Sequence, residues 1–242
     1  MSWQHLTFVT CLIIVMVFFA VFFGSRHRNY APKVKKRVLV VAALLIDGFE
    51  LFKIVLLCFR SNNPLGWLYD LPLFLCSIQL ITIPLAAFAK GRVQKAAMDF
   101  IAIFGIVGAV LGTYGAGNNY GSYPVLCFDN VVSGITHCIS GFTSLYLLIS
   151  RTAELKKRNI GITFGILIGF CVAAFIANHL LDYNYMFLMR GDGTPYDILY
   201  NLVNGHPVLY PMGVVGMFFV YIIAFYHIHY CLKKKRIQRQ TV

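Results

Sequence analysis

Acidic residues are scarce in this chain: only nine Asp and Glu stand among 242 residues, against twenty-one Lys and Arg. Charged residues of either sign make up 12% of the sequence, whereas hydrophobic residues make up 59% and the mean hydropathy is +0.72. A soluble domain carries a far larger charged fraction on its surface. The scarcity of charge therefore excludes a soluble domain and indicates a protein that lies mostly within a lipid bilayer.

Paired cysteine and histidine spacings are also missing. The seven cysteines are scattered along the chain without a CxxC pair, and no HxxxH pattern lies within an apolar run. A disulfide framework or a zinc site needs such pairs. We therefore expect no metal and no cofactor. The sequence leaves open a pairing of Cys58 with Cys127, because both fall near the same side of the membrane.

The chain contains many apolar runs that are long enough to span a membrane. A hydrocarbon core of ~30 Å needs ~20 residues of helix, and a helix satisfies all of its own backbone groups. The pattern predicts an all-α bundle of seven transmembrane helices that forms a single domain over residues 1–242. The predicted spans are 6–24, 38–58, 71–89, 97–114, 128–150, 160–181 and 207–232.

The basic residues predict the orientation of this bundle. Eighteen of the twenty-one Lys and Arg fall in four segments: 26–37, 90–95, 151–158 and the tail 233–239. With seven spans, all four segments lie on the same side of the membrane. Short basic loops stay cytoplasmic. We therefore expect the N-terminus outside and the C-terminus in the cytoplasm. Anionic lipid headgroups account for the net charge of +12, so no nucleic-acid partner is expected.

Ionisable residues inside a span are few, and each is a candidate for function. Asp47, Glu50 and Lys53 follow one another at i, i+3 spacing in the second span, so they share one side of the helix and Glu50 can pair with Lys53. Two interpretations remain open. The pair fixes helix packing, or Glu50 orients a catalytic group or relays a proton.

A cysteine and a histidine lie in the outer half of the predicted bundle. His137 falls about nine residues into the fifth span, at a depth of ~13 Å, and Cys76 about five residues into the third, at ~8 Å. Taken alone, each is more typical of helix packing than of chemistry. Gly105, Gly108 and Gly112 in the fourth span likewise indicate close helix packing.

The sequence around these residues resembles a known family. The strings are LPLFLCS from Leu71 to Ser77, SGITHCISG around His137, NYMFLMR from Asn184 to Arg190, and the Pro207 to Pro211 entry to the last span. Together they resemble the YwaF-like family of integral membrane proteins, which includes the eukaryotic transmembrane protein 164. The resemblance runs from about Phe49 to Leu232.

The resemblance implies a lipid-modifying enzyme of the bacterial cell membrane. The family is described as containing acyltransferases that move a fatty acyl chain between glycerophospholipids, and it is related to androgen-induced hydrolases of lipid esters. Its Cys, His and span-two Glu correspond to Cys76, His137 and Glu50. Bacterial members often have a His two positions before the Cys, where this chain has Phe74.

This implied chemistry suits the residue types. A Cys76 thiolate would form an acyl thioester from a membrane phospholipid, with His137 as the base. A lysophospholipid would resolve the thioester in a transferase, and water in a hydrolase. Arg190 would hold the lipid phosphate by paired hydrogen bonds. The other candidate substrate-binding residues are Asp47, Lys53, Tyr185 and His179.

Two alternatives stand beside the enzyme. A small-molecule or proton-coupled transporter would use Asp47, Glu50, Lys53 and His137 as a path through the membrane. A seven-helix receptor would share the span count and the external N-terminus. Substitution of Cys76 separates the classes, because only the enzyme requires its thiol.

Overall fold

A computed structural model describes residues 2–115 and 124–238, and within these ranges 78% of the residues are helical and none is in a strand. The prediction of an all-α protein is confirmed. The described helices are α1 (Trp3–Arg26), α2 (Pro32–Ser61), α3 (Gln79–Phe88), α4 (Gly91–Tyr114), α5 (Phe128–Ile149), α6 (Ile160–Leu181), α7 (Tyr196–Leu202) and α8 (Leu209–Gln238). Short 3₁₀ turns lie at Gly66–Tyr69, Lys157–Asn159 and Tyr185–Phe187.

Five helices in the described ranges are long and apolar enough to cross a membrane: Trp3–Arg26, Gly91–Tyr114, Phe128–Ile149, Lys157–Leu181 and Leu209–Lys234. They match the first, fourth, fifth, sixth and seventh predicted spans. The second predicted span lies within the continuous helix α2, which is more highly charged. The total of seven spans and the outward N-terminus stay predictions.

The third predicted span, 71–89, does not form one helix. Only Gln79–Phe88 is α-helical, and ten residues cover ~15 Å, about half of a hydrocarbon core. Residues 71–74 are irregular and residues 75–78 form a turn. Ser77 Oγ accepts from the Phe74 N–H and donates to the Phe74 carbonyl. Such local side-chain bonds compete with helix formation. Hydropathy alone gave no sign of them.

The chain divides into two compact units, Met1–Ala153 and Glu154–Val242. The single domain over 1–242 stays a prediction, and each unit is described by itself. In the first unit, α4 packs against α3 and α5, while α5 also packs against α1 and α2. All seven cysteines of the chain are free, so Cys58 and Cys127 are not joined.

The basic ends of the helices meet at one end of the first unit. Lys35 Nζ donates to the carbonyl oxygens of Arg28, at 3.0 Å, and Ser150, at 2.8 Å. His27 Nδ1 lies 3.1 Å from the Tyr146 hydroxyl. Buried Leu39, Ala86, Ala97 and Leu147 belong to the core cluster beneath these contacts. The first unit thus has a basic end, and the opposite end is called the distal end.

The second unit contains α6, α7 and α8. Asn178 near the end of α6 holds the following turn, because its Oδ1 accepts from the Tyr185 N–H at 2.6 Å and its Nδ2 donates to the Tyr185 carbonyl at 3.1 Å. Asp182 ends α6 with a φ of 49°. The α6 and α8 helices pack together, and the rings of Phe164 and Phe219 contact each other at a tilted angle with centroids 4.5 Å apart.

Candidate functional site

Cys76 lies in the turn that precedes α3 in the first unit. The turn is closed by the Ser77 hydroxyl, which bonds both backbone groups of Phe74. The backbone N–H groups of Cys76 and Ser77 face the sulfur. The residue is half-buried. Burial disfavours the charged form of the thiol more than these donors favour it, so a thiolate at Cys76 depends on a base or a cation nearby.

His137 projects from α5 toward α4, at a point where α4 has no side chain. A Cβ built on Gly112 would lie 2.5 Å from Nδ1 and 2.6 Å from Nε2 of the imidazole. Real Cβ atoms are never so close to a ring, so only glycine at position 112 leaves room for this placement. His137 is half-buried, and its depth along α5 is ~14 Å from Phe128.

Cys76 contacts the same side of α4, one turn away from His137. A Cβ on Gly108 would lie 3.2 Å from the Cα and 3.4 Å from the Cβ of Cys76. Side chains four residues apart on a helix are ~5–6 Å apart. These distances limit the separation of the Cys76 Cβ and His137 Nδ1 to about 12 Å. Within the described ranges the thiol and the imidazole do not hydrogen-bond each other.

A cationic side chain and two carboxylates form a charged cluster beside the turn. Lys53 Nζ pairs with Glu50 on the same helix and lies 3.2 Å from Asp70 Oδ1, in the loop that leads to Cys76. The side chains of Lys53 and Glu50 are only 15% and 12% exposed. The predicted Glu50–Lys53 pair is present, and Asp70 is a third member that the sequence pattern did not indicate.

The charged cluster acts on both candidate catalytic groups. The charges of Lys53 and Glu50 interact electrostatically with the Cys76 thiol, and the Lys53 charge interacts with the His137 imidazole. Asp47 is half-buried and takes no part in the cluster, although it lies one turn before Glu50. The first unit therefore brings together four of the predicted residues, Cys76, His137, Glu50 and Lys53, and leaves Asp47 apart.

We expect Lys53→Met to destabilise the protein more than Glu50→Gln or Asp70→Asn. Loss of Lys53 leaves two carboxylates in a poorly solvated site, and breaking a buried pair costs about 3–5 kcal/mol. Each single carboxylate variant keeps one ion pair. Thermal unfolding in detergent micelles measures the order. A double variant, Lys53→Met with Glu50→Gln, should recover part of the loss; no recovery would contradict the charged cluster.

Gln79 offers a buried donor close to Cys76 in sequence. It begins α3, its N–H lies 3.4 Å from the Cys76 carbonyl, and its side chain is fully buried. Its Oε1 accepts from the Thr82 hydroxyl at 3.0 Å. Its Nε2 has no hydrogen-bond partner within the described ranges. Because an unmade buried hydrogen bond is costly, Gln79 is a candidate donor that the sequence analysis did not single out.

The remaining predicted substrate residues belong to the second unit. Arg190 Nε pairs with Asp192 Oδ1 at 2.7 Å, and Asn184 bonds both Asp192 and the Arg190 carbonyl. Tyr185 is fully buried and its backbone is held by Asn178, so its side chain packs in the interior of the second unit. His179 is exposed, with Nδ1 2.9 Å from the Phe175 carbonyl. Their substrate roles stay predictions.

The described ranges contain no group of three or more His, Cys, Asp or Glu side chains that is placed to hold a metal ion. What the site does contain is a thiol, an imidazole, a charged cluster and an amide donor. Two of the glycines that were interpreted as packing residues, Gly108 and Gly112, are the positions against which the thiol-bearing turn and the imidazole rest. Their spacing of four residues was the sequence signal for a shared face.

Helices that are apolar enough to cross a bilayer, with polar groups gathered between them, define an integral multi-pass membrane protein. The sequence model of the TMEM164 family matches residues 1–231, so the chain belongs to the TMEM164 family. This confirms the resemblance to transmembrane protein 164. No curated protein and no solved structure matches the chain.

Proposed function

We propose that the protein is a membrane enzyme that transfers or hydrolyses the acyl chain of a phospholipid, with Cys76 as nucleophile and His137 as base. The observation that carries the proposal is the placement of both residues on one face of α4, one turn apart, against Gly108 and Gly112. Both are half-buried. A thiol and an imidazole so placed are the two groups that acyl transfer requires.

In the first step the Cys76 sulfur attacks the ester carbonyl carbon. His137 accepts the thiol proton as the new carbon–sulfur bond forms. The bond between the carbonyl carbon and the glycerol oxygen then breaks, and the leaving oxygen takes the proton from His137. The products are a lysophospholipid and an acyl thioester on Cys76. No oxidant, reductant or metal is needed for this step.

In the second step an acceptor attacks the thioester. His137 removes the proton from a lysophospholipid hydroxyl or from water, and the oxygen bonds to the acyl carbon. The carbon–sulfur bond breaks, and Cys76 recovers the proton from His137. A lysophospholipid acceptor gives a transferase and water gives a hydrolase. The final approach of the two side chains takes place within the substrate complex, where catalytic hydrogen bonds tighten.

The surrounding groups would support this chemistry by position and charge. Glu50 opposes negative charge on the sulfur and Lys53 favours it, and Glu50 and Asp70 hold Lys53 in place. We place Glu50 as a positioning residue that acts through Lys53. Arg190 and His179 remain candidates for headgroup contacts, and Asp47 for an acceptor contact. The expected partners are membrane phospholipids, and the chemistry calls for no cofactor.

The direct test is a covalent adduct. Purified protein is incubated with a phospholipid that carries an isotopically labelled acyl chain, and intact mass is measured before and after hydroxylamine, which cleaves thioesters. We expect a mass increase equal to one acyl group, mapped by peptide analysis to Cys76 and removed by hydroxylamine. Absence of both adduct and lipid turnover would overturn the proposal.

Gln79 gives a prediction that separates chemistry from packing. We expect Gln79→Met to reduce acyl transfer by ~10²-fold while stability changes little, because the variant removes a donor suited to the developing oxyanion. It also removes an amide whose Nε2 is unsatisfied within the described ranges. Turnover and thermal unfolding are measured in parallel. A loss of stability with unchanged turnover in the folded fraction would make Gln79 a packing residue.

A transporter is the second candidate, and the charged cluster is what favours it. Lys53 between two carboxylates, within electrostatic reach of His137, is typical of a proton or substrate path. In that case Cys76 would be dispensable. If the Cys76→Ala variant still supports uptake of a substrate or of protons into reconstituted vesicles, the result would support transport and contradict the proposed enzyme.

A further inference from the structure

An apolar groove lies on the side of α5 that faces away from His137. It has a volume of about 510 Å³, opens to the surface, and is lined by α1, α2 and α5 of the first unit. Its lining includes Phe19, Phe23, Val38, Leu45, Ile139 and Phe142. Ile135, Cys138, Ile139 and Phe142 form an i, i+3, i+4, i+7 stripe on α5, and His137 points to the opposite side. The groove is therefore separate from the candidate site.

The dimensions of the groove suit one acyl chain. Along α1 it extends from Leu12 to His27, and fifteen residues of helix cover ~22 Å. One leaflet of hydrocarbon is ~15 Å deep. The groove therefore runs through a leaflet and continues to the level of the headgroups. Its volume falls within the range of ~300–1,000 Å³ found for small-molecule sites.

The headgroup end of the groove is cationic. Arg37 and His27 line it there, while the rest of the lining is apolar. Lys35 is not available, because its ammonium is bonded to the Arg28 and Ser150 carbonyls. Arg37 is exposed and forms no ion pair with any residue in the described part of the chain. Arg28, the residue after His27, has a buried Nε with no hydrogen-bond partner among the described residues.

We propose that this groove holds the acyl chain of an anionic phospholipid, with Arg37 and His27 contacting its phosphate at the basic end. The cationic end complements the charge of an anionic headgroup, and it is continuous with the apolar groove that would hold the acyl chain. An unpaired guanidinium is suited to bind phosphate by paired hydrogen bonds. The site is independent of the proposed reaction, since it lies on the other side of α5 from His137.

The test uses tryptophan quenching in vesicles. The native Trp3 and Trp67 are replaced by Phe, and Phe19→Trp places a reporter in the groove, whereas Phe18→Trp places one on the neighbouring lipid-exposed surface. Each protein is reconstituted in phosphatidylcholine vesicles that contain brominated phosphatidylglycerol or brominated phosphatidylcholine. At Phe19→Trp we expect about fivefold stronger association of the anionic lipid. At Phe18→Trp we expect no preference.

A matched pair of charge variants tests the headgroup contact. Arg37→Gln should abolish most of the anionic preference at the groove reporter. Lys33→Gln removes one charge from the same end of α2 without touching the groove and should retain the preference. Equal quenching by both lipids at Phe19→Trp, an equal preference at Phe18→Trp, or an equal effect of the two charge variants would each overturn the proposal.

A second measurement needs no reporter substitution. Cys138 lines the groove, whereas Cys11 is exposed on α1 outside it. Addition of phosphatidylglycerol to the protein in neutral detergent should slow alkylation of Cys138 by a membrane-permeant maleimide several-fold and leave the rate at Cys11 unchanged. Unchanged alkylation of Cys138 would overturn the proposal even where the tryptophan variants fold poorly.

Discussion

Replacement of Cys76 by Ala or Ser should abolish acyl transfer, with a loss of about 10³-fold or more in turnover. Removal of a nucleophile takes away the covalent route and leaves only binding and electrostatic contributions. A serine hydroxyl at position 76 stays protonated at neutral pH and is a far weaker nucleophile than a thiolate. The acyl adduct should be absent from Cys76→Ala, and the rate of phospholipid turnover should fall to the rate without protein.

Cys58 provides the matched control for this prediction. It is half-buried and lies in the distal half of α2, outside the turn that holds Cys76. Cys58→Ser should retain the adduct and the turnover. Both variants are compared with the wild-type protein by thermal unfolding, so that a folding defect is separated from a chemical one. Full turnover by Cys76→Ala would contradict the proposed nucleophile.

Much of the fold follows from the sequence because hydropathy is a strong local signal in a membrane protein. Helix α5 begins at the predicted residue, Phe128, and α6 has the predicted bounds, 160–181. The apolar run of a span and the polar loop on either side determine both ends. Helix α2 extends beyond its predicted span at both ends, from Pro32 to Ser61, since polar residues continue a helix outside the hydrocarbon.

The third predicted span is not one continuous helix, because a turn precedes its helical part at Gln79. Residues 71–89 are apolar enough for a helix, but hydropathy does not report the turn at 75–78 that the Ser77 hydroxyl closes. That turn matters for function, since it carries Cys76. Sequences depart from simple local rules most often at functional or strained sites. A cysteine in a turn before a short helix is therefore more informative than the same cysteine inside a span.

The candidate site was predicted by residue type but not by its contacts. Cys76, His137, Glu50 and Lys53 were named from the sequence, and their depth in the bundle followed from helical rise. Asp70 was missed because it lies in a loop outside the predicted spans, where a carboxylate is ordinary. The role of Gly112 was missed because a glycine in a membrane helix is usually explained by packing of backbones. Only the structure shows that the His137 imidazole lies against Gly112.

Gly112→Ala should reduce acyl transfer by ~10²-fold without unfolding the protein, because the added methyl group occupies the space of the imidazole. The ring can rotate about its side-chain bonds, so the backbone of α4 need not move. Replacement of glycine by alanine inside a helix also gains up to ~1 kcal/mol of helix propensity, which offsets the strain. The expected variant is therefore folded, with His137 displaced from the neighbourhood of Cys76.

Gly48→Ala is the control for this substitution. Gly48 lies inside α2 of the same unit, and a Cβ there would meet nothing within 4 Å. This variant should keep its turnover and gain slightly in thermal stability, since it has the propensity gain without the clash. Turnover per folded molecule and the rate of Cys76 acylation are measured for both. Wild-type acylation by Gly112→Ala would mean that His137 does not act from its position on α4, and the base would have to be sought elsewhere.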